Sequence, residues 1–158
     1  SVAKVLMEYR KIVTLEPYLD GGDILNTPES IFIGLSKRTD ERAIKNLSEK
    51  IDKNIVPVPV KKGLHLKSAV SYLGNNTLLI NPERIGADEF RNFQWIEVEE
   101  KDSYVANCLV LRNQVIMPSG FSTIREKIRQ NGFETVELEM SEFEKADGGV
   151  TCLSLIFP

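Results

Sequence analysis

The spacing of hydrophobic residues in the first third of the chain predicts two strands, a helix and a further strand. Apolar runs at 24–25 and 31–33 flank a turn containing Asn, Thr and Pro, which is typical of paired strands. Thr39 is predicted to cap a helix whose apolar residues repeat at spacings of three and four over 44–51. Segment 55–60 predicts a strand, and its two prolines favour the edge of a sheet or an interrupted ladder of hydrogen bonds. The order of these elements is a ββαβ unit.

The same order of elements recurs near the C-terminal end. Runs at 108–111 and 115–117 predict a hairpin. A helix with apolar residues over 121–128 follows, with Gly132 as its C-terminal cap. Segment 136–140 alternates apolar and acidic residues, as expected of a half-buried strand. The sequence therefore predicts a second ββαβ unit.

Between these two units, strands at 77–80 and 95–98 and a short helical turn at 87–90 predict a degenerate third copy. The remaining C-terminal segments are predicted to be a solvated loop at 141–145 and an apolar strand at 153–157. No low-complexity tract, linker or charge block divides the chain. We therefore predict a single α/β domain, residues 1–158, built from repeated ββαβ units.

Composition and charge narrow the class of protein without identifying it. Of 158 residues, 42% are hydrophobic and 27% are charged, which is typical of a globular domain. No apolar run approaches the roughly 18 residues of a membrane span, and a net charge of −3 gives no basic excess that favours nucleic acid. Two cysteines and one histidine cannot complete a four-ligand zinc site, so no metal is expected. We expect a cytoplasmic protein without a nucleic-acid or membrane partner.

Four short stretches carry residues suited to chemistry, at 19–23, 35–39, 62–68 and 147–152. Each also has a purely structural explanation. A glycine pair beside an aspartate is most often a turn, and a lone histidine between two leucines is most often a hydrogen-bonded, partly buried ring. A cysteine in an apolar strand is most often an inert core thiol, which is our interpretation of Cys108.

The predicted repeats place His65 and Cys152 at equivalent positions, after the last strand of the first unit and of the last unit. His65 follows the last strand of the first unit, and Cys152 follows the equivalent strand of the last unit. Units arranged around an axis would place equivalent ends at a shared centre, and Cys–His nucleophilic catalysis needs partners that are distant in sequence but adjacent in space. Asp20 would then accept a hydrogen bond from His65 and hold its orientation.

With these stretches in view, the chain resembles the C-terminal portion of the dimethylarginine dimethylaminohydrolase family, in the guanidine-modifying (pentein) superfamily. The resemblance rests on four ordered motifs: LDGGDIL at 19–25, IGLSKRTDERA at 33–43, VPVKKGLHLKS at 58–68 and SEFEKADGGVTCLS at 141–154. It implies an α/β propeller of ββαβ blades, five in the superfamily and an incomplete set here. Family members are longer, and their N-terminal blades supply acidic residues that grip the guanidinium. We therefore expect an incomplete site, and we expect the unpaired strand edges to cause either association, as in a homo-oligomer, or instability.

The resemblance implies hydrolysis of Nω-methylated arginine to citrulline and dimethylamine without a cofactor. Cys152 matches the nucleophile that attacks the guanidinium carbon and forms a thiouronium intermediate. His65 matches the general acid that protonates the departing amine and then activates water. Asp20 matches the carboxylate that orients His65.

Three further residues are expected to bind this small guanidino substrate. Arg38 matches the residue that pairs with the α-carboxylate, the carbonyl of Ala146 matches a contact to the α-amino group, and Asp147 lies beside it. Lys67 and Ser68 stand where arginine deiminases have an aspartate soon after the histidine, which favours a methylated substrate. Two alternatives remain open: an arginine-deiminase-like hydrolase of another guanidino compound, and a non-catalytic pentein fragment that serves as a binding or oligomerisation module.

Overall fold

Three units of one design follow a short N-terminal helix, α1 (Val2–Leu6), in the computed structural model, which describes residues 2–156. The first unit consists of β1 (Ile24–Asn26), β2 (Ser30–Leu35), α2 (Glu41–Ser48) and β3 (Asn54–Pro59). The second unit has a 3-10 turn in place of the helix and consists of β4 (Val70–Gly74), β5 (Thr77–Ile80), the turn Ala87–Phe90 and β6 (Gln94–Glu97). The third unit consists of β7 (Leu109–Leu111), β8 (Gln114–Pro118), α3 (Ser122–Gln130) and β9 (Glu134–Leu138), and α4 (Ser141–Glu144) follows it.

Each unit makes a three-stranded sheet with one antiparallel and one parallel pair of strands. The first strand of each unit runs antiparallel to the second, and the second runs parallel to the third. A short turn suffices for the antiparallel pair, whereas the parallel pair needs the crossover that α2 and α3 supply. This topology confirms the predicted α/β fold and the ββαβ repeat. The prediction that prolines mark an edge strand is also confirmed, because β3 lies at the edge of its sheet.

The sheet of the second unit joins the other two units. One of its faces packs on the third unit in a cluster that includes Leu73, Leu79, Ile96, Val115 and Met117. Its opposite face packs on the first unit in a cluster that includes Leu25, Phe32, Val58, Leu78 and Ile80. Since the middle sheet is covered on both faces, it holds the loops of the first and third units in a fixed relation.

The third unit leaves one face of its sheet exposed to solvent. Strand register places five partly or largely exposed apolar side chains on this face: Leu109, Leu111, Ile116, Val136 and Leu138. The prediction of a half-buried strand at 136–140 is correct for the strand but wrong for its burial. Val136 and Leu138 are 37% and 42% exposed, because α3 and the middle unit pack on the opposite face.

One local prediction in the first unit is wrong, and one strand of the second unit is missing from the prediction. α2 is capped by Asp40, whose carboxylate accepts a hydrogen bond from the Arg42 amide (2.8 Å). Thr39 is not the cap, because its hydroxyl donates to the carboxylate of Asp23 (2.7 Å). Strand β4 is absent from the predicted elements, since both of its faces are buried and its sequence does not alternate.

Two predictions near the C-terminal end are also corrected. The expected solvated loop at 141–145 contains the single-turn helix α4, although its side chains are exposed as expected. The expected strand at 153–157 is not formed over its described part. Val150–Leu153 is a 3-10 turn, residues 154–156 have no regular structure, and residue 157 lies outside the described residues.

The four α-helices within residues 2–156 are all too short or too polar to cross a bilayer.

Candidate active site

A tight turn before β1 carries the two acidic residues of the first candidate stretch. Asp20 caps the 3-10 turn Gly21–Asp23, and its Oδ1 accepts a hydrogen bond from the Gly22 amide (2.9 Å). Its other oxygen, Oδ2, is 3.0 Å from Nε of Arg38 and 3.2 Å from Nε2 of His65. The capping role therefore fixes the carboxylate so that it lies between a permanent cation and the only histidine of the chain.

The imidazole of His65 is held between Asp20 and the backbone of Gly22. Its side chain is 16% exposed. The ring is not aimed at Asp20 for a straight hydrogen bond, so the contact of Nε2 with Oδ2 is electrostatic. A Cβ at Gly22 would lie 2.6 Å from Cγ of the ring and 2.8 Å from Nδ1. Gly22 is therefore a site of close approach, where the absence of a side chain makes room for the imidazole.

Asp23 is fully buried and positions the loop that carries His65. Its Oδ2 accepts hydrogen bonds from the hydroxyls of Ser36 (2.5 Å) and Thr39 (2.7 Å). Its Oδ1 accepts a hydrogen bond from the amide of Leu66 (2.9 Å), the residue after His65. One carboxylate therefore connects the Gly pair, the turn after β2 and the histidine loop, which satisfies the rule that buried charges are hydrogen-bonded.

The electrostatic setting of Asp20 keeps it ionised. Burial raises the pKa of Asp20, but the Gly22 amide, the Arg38 guanidinium and His65 together outweigh burial and hold this pKa below its usual value. Arg38 thus contacts the carboxylate that faces His65. It lies in a shallow cavity with Tyr18, apart from the larger cavity that His65 lines.

Cys152 lies in the 3-10 turn Val150–Leu153 and is exposed, whereas Cys108 is buried. The amide of Cys152 donates to the carbonyl of Gly149 (3.0 Å), and its Sγ accepts from the amide of Gly149 (3.4 Å). Burial raises the pKa of the Cys108 thiol far above its ordinary value, which makes that thiol inert. The interpretation of Cys108 as a core thiol is consistent with this setting.

One cavity of about 360 Å³ brings the histidine and cysteine loops together, and this volume suits a small organic ligand. His65, Lys67 and Cys152 line it. Burial lowers the pKa of Lys67, and the negative charges of Cys152, Asp20 and Asp23 partly oppose that effect. Lys67 therefore places a positive charge in the same cavity as Cys152.

The predicted substrate-binding residues are only partly gathered at this cavity. Asp147 lines it, and its left-handed backbone (φ 57°) turns the chain between α4 and the glycine pair. Ala146 and Arg38 do not line it, and both are exposed. Among the described residues, 2–156, no group of three acidic, histidine or cysteine side chains is arranged to hold a metal ion.

Sequence reasoning misses five residues that line the cavity: Arg84, Ser103, Tyr104, Asn107 and Glu144. Glu144 falls in the segment predicted to be a solvated loop, and Tyr104 and Asn107 carry no motif. The hydroxyl of Tyr104 donates to the carbonyl of Gly148 (2.7 Å). Burial, followed by the charges of Glu144 and Cys152, raises the pKa of Tyr104. The only local signal is Asn107 itself, a polar residue inside the apolar run from Val105 to Leu111.

Sequence comparison identifies one protein family. The family profile described as "N,N dimethylarginine dimethylhydrolase, eukaryotic" matches residues 2–156. The N(G),N(G)-dimethylarginine dimethylaminohydrolase of Pseudomonas aeruginosa is 38% identical over 142 residues, which cover 88% of this chain and 56% of the relative. That of Streptomyces coelicolor is 34% identical over 141 residues, covering 87% of this chain and 54% of the relative. The chain thus spans about half the length of the curated relatives it matches.

Solved structures of dimethylarginine dimethylaminohydrolases superpose closely on this chain. A dimethylarginine dimethylaminohydrolase adduct with S-methyl-L-thiocitrulline superposes with a TM-score of 0.90 at 36% identity, covering 99% of this chain and 64% of the other. A cysteine-to-serine mutant of the Pseudomonas aeruginosa enzyme, complexed with citrulline, gives 0.88 at 34% identity, covering 98% and 65%. An inosamine-phosphate amidinotransferase from Streptomyces griseus, at 19% identity, shares the fold with a TM-score of 0.76 and covers 90% and 47%.

Proposed function

The chain belongs to the dimethylarginine dimethylaminohydrolase family, and on this basis we propose that it hydrolyses an Nω-methylated arginine to citrulline and dimethylamine. The observation that carries the proposal is the cavity shared by His65, Cys152 and Asp147, with Asp20 against the far side of the imidazole. A nucleophile, an acid and carboxylates around one small cavity are what attack on a guanidinium requires. A relative in complex with citrulline supports the choice of product.

The first half of the reaction forms a bond from sulfur to carbon. The thiolate of Cys152 attacks the central carbon of the guanidinium and gives a tetrahedral adduct. The bond from this carbon to the dimethylamino nitrogen then breaks, and His65 donates a proton to that nitrogen, so that neutral dimethylamine departs. A thiouronium remains on Cys152. The thiolate and not the thiol is the nucleophile, and the ammonium of Lys67 lines the same cavity.

The second half returns the enzyme to its starting state. His65, now neutral, takes a proton from a water molecule, and the resulting hydroxide adds to the thiouronium carbon. The bond from carbon to sulfur then breaks and the added hydroxyl releases its proton to bulk water, which regenerates the Cys152 thiolate and leaves the carbonyl of citrulline. His65 thus gives and takes one proton at each turnover, while the carboxylate of Asp20, 3.2 Å from Nε2, holds the orientation of the ring.

Substrate binding is proposed to use charges at both ends of the substrate. The carboxylates of Asp147 and Glu144 line the cavity and attract the guanidinium. The guanidinium of Arg38 uses Nε for Asp20, and its two terminal nitrogens have no hydrogen-bond partner among residues 2–156. We propose that these nitrogens bind the α-carboxylate and that the exposed carbonyl of Ala146 accepts from the α-amino group.

The residue two positions after His65 favours a methylated substrate over arginine. Lys67 is a cation that lines the cavity next to His65 and Cys152. It offers no carboxylate to bind the two N–H groups at an unmethylated guanidinium end. A dimethylated nitrogen has no such N–H groups to satisfy, so a lysine at this position leaves no unpaired donor on that nitrogen.

A cytoplasmic location is also proposed. Both cysteines are free thiols, and Cys152 is exposed and must stay reduced to act. Such thiols persist in a reducing compartment.

The experiment that tests the proposal is citrulline release from asymmetric dimethylarginine by the full 158-residue chain, with arginine run in parallel. We expect release from dimethylarginine and little or none from arginine. Release from arginine alone would assign the chain to the deiminase side, and release from neither would refute hydrolysis by this chain.

Two cysteine variants provide a matched pair for this assay. Cys152→Ser is expected to abolish release while leaving the circular dichroism spectrum unchanged, because serine is a far weaker nucleophile than a thiolate. Cys108→Ala removes the other thiol, which is buried and outside the cavity, and is expected to keep turnover. Normal turnover by Cys152→Ser would remove this residue from the mechanism.

A further inference from the structure

One buried side chain, Asn107, contacts both loops that carry the proposed catalytic residues. Its Nδ2 donates to the carbonyl of Lys67 (2.9 Å), two residues after His65. The same nitrogen donates to Oγ1 of Thr151 (2.9 Å), the residue before Cys152. Its Oδ1 accepts from the amide of Thr151 (3.0 Å). The side chain is 8% exposed, so one carboxamide joins the two loops away from bulk water.

The backbone on both sides of Asn107 is itself fixed. Ser71 of β4, 3% exposed, donates from Oγ to the carbonyl of Ala106 (2.7 Å) and accepts from the amide of Cys108 (2.9 Å). β4 belongs to the middle sheet, which is covered on both faces. The Asn107 carboxamide therefore projects, from backbone that the covered middle sheet holds in place, toward two loops.

The sequence of the nucleophile loop fits this carboxamide. A Cβ at Gly149 would lie 2.5 Å from Oδ1 of Asn107, so a side chain at that position would displace the amide. Thr151 presents both its amide and its hydroxyl to Asn107. Tyr104 fixes the start of the same loop through the carbonyl of Gly148. The Asn107 carboxamide thus explains both the glycine at 149 and the hydroxyl at 151.

We propose that Asn107 is a positioning residue that sets the distance and orientation between His65 and Cys152. This inference rests on the proposed function for its catalytic meaning, because the register of the two loops matters only if the two side chains act together. The physical basis is that the carboxamide uses both donors and one acceptor on the two loops at once, so no single loop can shift without breaking a buried hydrogen bond.

A measurement that needs no substrate tests this coupling. His65 is the only histidine in the chain, so its imidazole resonances are unambiguous in an NMR spectrum. Cys152 is exposed and Cys108 is buried, so iodoacetamide is expected to alkylate Cys152 alone, as mass spectrometry will verify. Alkylation of Cys152 in the wild-type chain is expected to shift the His65 resonances, because both side chains line one cavity.

Three variants make the measurement specific to Asn107. Asn107→Ala is expected to reduce the alkylation-induced shift of His65 to less than half of its wild-type size. Thr151→Val, which removes one acceptor and adds no charge, is expected to give an intermediate shift. Asn131→Ala is the matched control: it also removes an amide-to-carbonyl hydrogen bond (2.8 Å to Lys127) but does not line the cavity, and the wild-type shift is expected.

A wild-type response in Asn107→Ala, with Cys108 still protected from alkylation, would overturn the inference. If Asn107→Ala unfolds, as alkylation of Cys108 would reveal, Thr151→Val decides: a wild-type response there overturns the inference, and a reduced one supports it. Absence of any His65 shift in the wild-type chain would overturn it as well, since the two side chains would then not be coupled.

Turnover separates this inference from the proposed function. A displacement of about 1 Å between reacting groups lowers rates by about 100-fold, so kcat for citrulline release is expected to fall by that factor in Asn107→Ala with little change in KM. If the wild-type chain releases no citrulline, the proposed function fails while the NMR result still decides whether Asn107 couples the two loops.

Discussion

Replacement of Gly22 by alanine tests the packing of His65, the proposed general acid, with a one-carbon change. The new Cβ would lie 2.6 Å from Cγ of His65, whereas ordinary contacts begin at 3.4 Å, so the imidazole must move by about 0.8 Å. Overpacking of this kind destabilises a fold by about 1–3 kcal/mol. The displacement also disturbs the contact of Nε2 with Asp20, which is now 3.2 Å long.

The neighbouring glycine provides the control. A Cβ at Gly21 would have no heavy atom within 4 Å. Gly21→Ala is therefore expected to stabilise the fold by about 0.4–1 kcal/mol, because alanine restricts the unfolded chain more than glycine does. Both variants add the same methyl group, at adjacent positions, yet they are expected to change stability in opposite directions.

Urea unfolding of the two variants measures this difference, with the slope m unchanged if both remain two-state. Citrulline release is the second measurement. A displacement approaching 1 Å is expected to lower kcat by about 100-fold in Gly22→Ala and to leave Gly21→Ala at the wild-type rate. Equal stability and equal turnover for the two variants would refute the close packing of the imidazole on the Gly22 backbone.

Three further predictions concern the buried carboxylate, the pH dependence and the open face of the third unit. Asp23→Ala is expected to destabilise the fold by about 3 kcal/mol or more in urea unfolding, because two buried donors and one half-buried donor lose their acceptor. Glu29→Ala, at an exposed position, is expected to change stability by less than about 0.5 kcal/mol, and an equally small loss at Asp23 would contradict this reasoning. Because the pKa of Asp20 is lowered in the folded state, the contribution of Asp20 to stability is present above the pKa that this carboxyl has in the unfolded chain. The contribution is lost as pH falls through its folded-state pKa. Arg38→Met is expected to raise that pKa, so the loss of thermal stability on acidification begins at a higher pH, and superimposable profiles would count against the pairing. The chain is expected to self-associate through the exposed apolar face of the third unit, and Leu138→Glu is expected to shift sedimentation toward the monomer; a wild-type chain that sediments as a monomer would contradict this.

The local periodicity of the sequence is sufficient to predict the repeated architecture. Alternation and three-to-four spacing are properties of neighbouring residues, so the strands of the first and third units and helices α2 and α3 can be placed within a few residues. β4 escapes this reasoning because both of its faces are buried, which removes the alternation. The apolar residues after Cys152 mislead in the opposite way, because Leu155 and Ile156 are exposed and form no strand.

The identities of the proposed catalytic residues also come from the sequence, since Cys152 and His65 are the rarest reactive residues and lie in distinctive motifs. How they are held is visible only in three dimensions. Asp23 reaches an amide 43 residues away, and Asn107 reaches groups 40 and 44 residues away. Such contacts produce no periodic pattern along the chain. The packing of the first and third units on the middle sheet, and not sequence separation, determines which groups become hydrogen-bond partners.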